Sequence, residues 1–378
     1  MIGDLVSAKG VLMVFKKLGL FTVIALLGMV ALQMGQAKAS FEIEQIVDDI
    51  KIPWAIAFLP NGDLLVTERK GDLLRVTNGK VVAKISGVPD VRAKGQGGLL
   101  DVVLHPDFAS NQLIYLSYSD ASGSGGSNTS IARGRFDGDT LKDVQTIYQA
   151  TPNTKNGRHF GSRIVFDEDG YLYFSVGDRG DRDTNPQDKN RDGGKVYRLL
   201  DDGQVPTDNP FLGKPGLDAM YSLGHRNIQG MAKHPQTGDI WAHEHGPRGG
   251  DEVNIVKAGA NYGWPILSYG INYNGTSFAK GTEREGFVSP DWYWDPSIAP
   301  SGMAFVTSDK YPDWQGHLLV GSLKFGQLVL CELDGNRIVS AEPVLEKIGR
   351  VRDVRQGPDG FIYLAIDGKG IQRVVPAK

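Results

Sequence analysis

Two loops of the chain hold residue types that can move a proton. The segment Asn156-Gly157-Arg158-His159-Phe160-Gly161-Ser162-Arg163 places His159 just ahead of a β-forming run at residues 164–166. Asp178 closes the next such run, in Gly177-Asp178-Arg179-Gly180. The turn Asp169-Gly170 between the runs predicts a hairpin, and the far ends of a hairpin meet. His159 and Asp178 are therefore expected at one edge. A carboxylate on one imidazole nitrogen fixes the tautomer and leaves the other nitrogen free to act as a base. His105 and His234 both precede a proline in turn positions and read as structural histidines.

Other loops carry binding chemistry. In Lys94-Gly95-Gln96-Gly97-Gly98 the glycines allow close backbone approach, and Gln96 offers both a donor and an acceptor. A tight turn explains the same residues. Arg226, Lys324, Arg350 and Arg352 come from separate parts of the chain, each near the end of a predicted strand. Each alone reads as surface charge. As a converging set they suit a multiply anionic ligand, because buried carboxylates need charged partners. Gly246-Pro247 can present unhindered carbonyls to calcium, with Asp251, Glu252 and Tyr262 nearby as a second oxygen set; a turn without metal is the rival explanation. His243-Glu244-His245 lacks the spacing of a zinc helix. A dinucleotide glycine fingerprint, a phosphate-binding loop and a Gly-x-Ser-x-Gly elbow are absent from the sequence.

The elements that must position these loops repeat. Six turns near residues 62, 111, 170, 238, 316 and 360 each lead into a short apolar β-forming run. The turns are rich in Asp, Asn and Gly, which is a hairpin signal. About 56 residues per unit exceeds the roughly 40–50 of a four-stranded blade, and the excess is assigned to loops. The expected fold is all-β: a six-bladed β-propeller over residues 40–378, closed on itself. A pair of β-sandwiches is the alternative. Long polar inserts at 201–218 and 268–300 are expected to gather over the top face, at one end of the channel.

Composition sets the outer bounds. Forty-nine glycines and one cysteine, Cys331, stand among 378 residues, so an internal disulfide is impossible. The net charge of −3 argues against nucleic-acid binding through phosphate neutralisation. Lys16 and Lys17 precede an apolar stretch at residues 18–35, followed by Ala37-Lys38-Ala39. This pattern predicts a signal peptide over residues 1–39, cleaved before Ser40, and so a periplasmic protein without a stable membrane anchor. An uncleaved anchor is the alternative, and Met13 offers a second start. The remaining body, with 37 basic and 43 acidic residues, is acidic.

Taken in order, the loops resemble the soluble pyrroloquinoline-quinone (PQQ)-dependent glucose/sorbosone dehydrogenases. The motifs are Gly-Gln-x-Gly-Leu-Leu (95–100), His-Phe-Gly-x-Arg (159–163), Gly-Asp-x-Gly (177–180) and Gly-His-Arg-Asn-x-Gln-Gly (224–230). Glu-His-Gly-Pro-x-Gly-Gly-Asp-Glu-x-Asn (244–254) and Asn-Tyr-Gly-Trp-Pro (261–265) complete the set, and the aldose sugar dehydrogenase branch is the best match. The resemblance spans residues 42–375 and implies a six-bladed propeller with the quinone in a top cleft. It implies that His159 is the base removing the anomeric hydroxyl proton, that Asp178 orients it, and that hydride passes from C1 to the quinone C5. Arg226 would stand by the C5 oxygen. Asn227, Lys324, Arg350 and Arg352 would hold the cofactor's carboxylates and ring oxygens, with Gln96 and Tyr273 completing the pocket. Gly246 and Pro247 carbonyls would bind the calcium that polarises the quinone. Glu252 and Tyr262 would carry a structural calcium through backbone oxygens.

The expected activity is therefore oxidation of aldose sugars to lactones, with electrons passed on to a quinone or cytochrome, by a monomer or dimer. The chain departs from glucose-specialised relatives at Arg158, where they carry an acid, and at His245, where they carry glutamine. These changes favour a broad range of aldoses. A calcium-dependent sugar lactonase and a non-catalytic sugar-binding propeller are the alternatives.

Overall fold

The six turns read from the sequence all serve one structural purpose. In a computed structural model that describes residues 40–122 and 124–377, each turn joins the innermost strand of a blade to its second strand. Blade 1 comprises β2 (Pro53–Phe58), β3 (Leu64–Glu68), β4 (Asp72–Thr77) and β5 (Lys80–Lys84). Blade 2 comprises β6 (Leu99–Leu104), β7 (Leu113–Ser119), β8 (Thr129–Asp137) and β9 (Thr140–Gln149). Blade 3 holds β10 (Ile164–Phe166), β11 (Leu172–Val176), β12 (Lys195–Leu199) and β13 (Met220–Leu223). Blade 4 holds β14 (Ile228–Lys233), β15 (Ile240–Glu244), β16 (Asp251–Ile255) and β17 (Trp292–Trp294). Blade 5 is β18 (Pro300–Phe305), β19 (Leu318–Ser322), β20 (Gln327–Asp334) and β21 (Arg337–Leu345). The expected all-β six-bladed propeller is therefore present. The predicted signal peptide lies outside the described residues.

Blade 6 is completed across the chain ends. β22 (Val351–Gln356), β23 (Ile362–Ile366) and β24 (Gly370–Pro376) take β1 (Phe41–Val47) as their outermost strand, with Phe41 opposite Pro376 and Val47 opposite Ile371. This pairing closes the ring and leaves only short outer edges.

Strand composition follows position. The second strands, such as β11 (LYFSV) and β23 (IYLAI), are buried at every residue and read as continuous apolar runs. They pack between neighbouring blades on both faces, so no polar alternation survives. The outer β5 alternates exposed and half-buried residues along KVVAK. At five of the six repeated turns the left-handed position is glycine, at Gly62, Gly170, Gly238, Gly316 and Gly360. In blade 2 the place is taken by Gln112 (φ 56°), which ends the four-residue helix α1 (Phe108–Asn111).

One insert lies elsewhere than expected. Residues 201–218 follow β12, whose end at Leu199 pairs with Leu172 at the Gly170 turn. The insert therefore leaves from the end opposite His159, and the Asp201 carbonyl accepts a hydrogen bond from Tyr115 there. The insert at 268–300 does reach the top, because residues 256–267 first climb the outside of blades 3 and 4. Among the described residues no helix is long and apolar enough to cross a membrane.

Candidate active site

His159 and Asp178 meet as the hairpin predicts. His159 Nδ1 lies 2.6 Å from Asp178 Oδ1, and both side chains are buried. Asp178 also accepts the Gly180 N–H at 2.7 Å and the Trp264 indole N–H at 2.9 Å. These donors fix the carboxylate, which in turn fixes the imidazole tautomer with Nδ1 as donor. The Gln96 side-chain carbonyl accepts the His159 backbone N–H at 2.6 Å. The backbone here is strained: His159 (φ 55°), Ser162 (φ 88°) and Arg179 (φ 57°) all take left-handed conformations. Such positions cost about 1–3 kcal/mol each and cluster at functional sites.

Burial is the main influence on His159 and lowers its pKa; the Asp178 hydrogen bond opposes this, and the Arg226 charge adds to the lowering. His159 is therefore neutral at pH 7, with Nε2 able to accept a proton. Burial alone would raise the Asp178 pKa, but the hydrogen bond to His159 and the Arg226 charge help to outweigh it, so the carboxyl stays ionised.

Beside this pair lies a cavity of about 1040 Å³. Its lining includes Gln96, Asn227, Tyr273, Lys324, Arg350 and Arg352. Asn227 stands between β13 and β14, Lys324 between β19 and β20, and Arg350 and Arg352 at the start of β22. Asn227 Oδ1 accepts the Gly161 N–H at 3.1 Å, and Lys324 Nζ donates to the Ser297 carbonyl at 2.9 Å. Arg350 and Arg352 both stand 3.4 Å from Asp367 Oδ2. Arg352 Nε is buried with no partner among the described residues, and burial lowers the Arg352 pKa, as for a cation short of counter-charge. Tyr273 sits at the rim, 72% exposed.

Gly246 and Pro247 line the same cavity, and neither carbonyl accepts a hydrogen bond among the described residues. Asp251 holds their loop in place: it accepts the Gly246 and Ala299 N–H groups at 2.7 Å each. Its oxygens are thus spent on the loop. Arg226 donates to the His245 carbonyl at 2.9 Å and lies 5.4 Å from the Trp264 ring. Arg226, Glu252 and Tyr262 line a second, small pocket beside the first. Burial, then Glu244, raises the Glu252 pKa well above the usual range.

The histidines read as structural behave so. His105 Nδ1 accepts the Asp107 N–H at 2.9 Å, and His234 packs edge-on to Phe305. Along β15 the side chains of His243 and Glu244 diverge. His243 and the following His245 reach the Gly302 and Pro300 carbonyls, while Glu244 turns to His225 at 2.8 Å. No zinc set forms. Sequence reasoning gave no role to Trp264, although it stands in the quoted Asn-Tyr-Gly-Trp-Pro motif, or to Gln229, which lines the cleft and donates to the Gly161 carbonyl.

Fold and site together define a propeller with a cation-lined top cleft beside a buried histidine–carboxylate pair. A family model described as Glucose / Sorbosone dehydrogenase matches residues 50–373. The chain is 45% identical over 339 residues to "Aldose sugar dehydrogenase YliI" of Escherichia coli, covering 88% of this chain and 91% of that one. It is 30% identical to "Quinoprotein glucose dehydrogenase B" of Acinetobacter calcoaceticus, covering 89% and 88%. Among solved structures, the PQQ-bound aldose sugar dehydrogenase of Streptomyces coelicolor superposes with a TM-score of 0.73 at 30% identity, covering 90% and 99%. This chain therefore belongs to the glucose/sorbosone dehydrogenase family, and it is an oxidoreductase.

Proposed function

We propose that this protein oxidises aldose sugars at C1 to the lactone, with PQQ as cofactor and calcium as its metal. The observation that carries this reading is the neutral His159, held by Asp178, at the edge of a cavity lined by Lys324, Arg350 and Arg352. The donor set fits the group: three cations and the amides of Asn227 and Gln96 suit a planar, polycarboxylated ligand. The free carbonyls of Gly246 and Pro247 suit a hard cation. The Streptomyces relative was solved with PQQ bound.

The chemistry that PQQ supplies when bound is uptake of the C1 hydride at its C5 carbonyl. His159 Nε2 takes the C1 hydroxyl proton as that hydride leaves. Asp178 keeps the ring oriented and steadies the imidazolium. Arg226 places positive charge where negative charge develops on the acceptor side. Asn227, Lys324, Arg350 and Arg352 bind the carboxylates and ring oxygens, and Gln96 and Tyr273 close the pocket. Glu252 and Tyr262, which line the small second pocket, would hold a second calcium through backbone oxygens. The protein acts in the periplasm and passes electrons to a quinone or cytochrome.

The test is to add calcium and PQQ to purified residues 40–378, supply an aldose, and follow bleaching of a redox dye. Bleaching that needs both additions supports the reading; no bleaching and no bound quinone overturn it. Lys324→Ala is expected to weaken the PQQ titration about tenfold or more, roughly the 1.4 kcal/mol of one charged contact. An unchanged titration removes Lys324 from the pocket.

A further inference from the structure

The cations around His159 exceed those the cofactor reading uses. Loops 92–97 and 156–159 interlock: the Gln96 N–H donates to the Gly157 carbonyl at 2.7 Å, and Gly95 packs so closely there that a Cβ would lie 2.2 Å from the Gly157 oxygen. This interlock gathers Arg69, Lys94 and Arg158 around Gln96 and His159. Arg69 lines the cavity and donates to the Gly95 carbonyl. Arg158 is exposed; its Nε donates to the Asn156 side-chain oxygen at 3.1 Å, and its charge reaches His159. Lys94 is exposed on the same loop.

None of these three cations has a carboxylate partner among the described residues. Elsewhere on the propeller Arg75, Arg133, Arg135, Arg198 and Arg373 each hold an aspartate or glutamate. The acids beside His159 and on the cavity lining, Asp295 apart, already have partners. Asp178 is occupied by His159, Gly180 and Trp264, and Asp181 faces Arg191 at 3.9 Å. On the cavity lining, Asp251 holds backbone N–H groups and Asp367 faces Arg350 and Arg352, while Asp295 lies across the cleft against Gly249. Three cations without a carboxylate partner among the described residues thus stand on or against the two interlocked loops, in a chain whose net charge is −3. Like charges held together repel, and a cleft of one sign concentrates ligands of the other.

We propose that Arg69, Lys94 and Arg158 form an anion subsite at the substrate end of the cleft, so that the preferred substrates are aldoses carrying a carboxylate or phosphate away from C1. The inference rests on the sugar-oxidation reading above. Guanidinium pairs bind either anion in bidentate fashion. The bond changes at C1 are those already described; the anion is held, not transformed.

The test compares glucose, glucuronate and glucose 6-phosphate with the calcium- and PQQ-loaded protein. The expected kcat/KM for at least one anionic sugar exceeds that for glucose by roughly tenfold or more at low salt. This advantage shrinks as ionic strength rises toward about 0.15 M, where the Debye length is about 8 Å. Arg158→Glu lowers the anionic-to-neutral ratio by at least about tenfold, the effect of reversing one nearby charge. The ratio is the informative quantity, because Arg158 also acts on His159 and that effect cancels between substrates. A gain for glucuronate alone assigns the subsite to carboxylate, and a gain for the phosphate alone assigns it to phosphate.

Saturation-transfer NMR on the quinone-loaded His159→Ala protein reads binding without turnover. Signal for glucuronate or glucose 6-phosphate that is lost in the added Arg158→Glu change supports the subsite even if no sugar is oxidised. Glucose oxidised as well as both anions, or a ratio unmoved by Arg158→Glu, overturns the proposal while leaving the dehydrogenase reading intact.

Discussion

At the scale of single residues, the proposed base is His159. Burial lowers its pKa below the ordinary value, while the 2.6 Å contact to Asp178 keeps the remaining N–H on Nδ1. Replacing His159 by alanine should retain PQQ, because no cofactor cation is touched, yet slow sugar oxidation by about 10²–10⁴-fold. A quinone titration beside a dye assay checks both halves. The pH profile follows from the same balance. The histidine pKa lies below its ordinary 6.5, so the base form is present above that value and is lost as pH falls through the lowered one. The acid limb of kcat/KM should therefore lie below pH 6.5. Asp178→Asn removes the two influences that raise the histidine pKa, so the limb should move further down while kcat falls through loss of the tautomer. A limb that stayed where it was would show that Asp178 does not bear on the titrating group.

At the scale of elements, the site depends on how closely strand ends approach. Gly177 follows β11, and a Cβ there would lie 2.3 Å from the His159 carbonyl oxygen and 2.8 Å from Asn227 Oδ1. Gly177→Ala must push both residues away, at a cost of about 1–3 kcal/mol for overpacking. The expected result is a modest fall in melting temperature with a far larger fall in kcat, since a displacement near 1 Å can cost about 10²-fold. Equal losses in both would mean that the blade, not the site, had given way. The same scale shows what a sequence can tell. The six inner turns were legible because each needs a left-handed residue before an apolar strand. The hairpin rule then brought His159 to Asp178 across 19 positions. Trp264, 86 positions from Asp178, gives no local signal of its partner. The end from which residues 201–218 leave was equally hidden: length marks an insert, but strand parity decides the face, and parity requires every strand of the blade to be known.

At the scale of the molecule, six blades sharing one axis need something in the channel, and here it is charge. Arg163 and Arg355 alternate with Asp101 and Asp353. Arg163 stands 2.9 Å from Asp353 and 3.5 Å from Asp101, and Arg355 stands 2.8 Å from Asp101 and 2.9 Å from Asp353. Arg163 also donates to the Gln229 carbonyl at 2.6 Å and the Arg352 carbonyl at 3.0 Å, and lies 4.2 Å over the Trp54 ring. Ser301 Oγ donates to that same Arg352 carbonyl at 2.8 Å. One guanidinium, 1% exposed, thus links elements of blades 1, 2, 3, 4 and 6, and shares an acceptor with blade 5. The four charges cancel as a set. Without Arg163, two buried carboxylates would face one arginine, and breaking such a set costs about 3–5 kcal/mol. Arg163→Met should therefore lower the unfolding free energy by that amount, read as a lower denaturant midpoint at an unchanged slope, while Arg163→Lys should recover only part, having charge without the planar fork. The pairing also sets the floor of the cleft through the carbonyls of Gln229 and Arg352, so the weakened protein should bind PQQ more loosely even where it remains folded. An unchanged midpoint in Arg163→Met would show that water, not the paired ring, satisfies the channel.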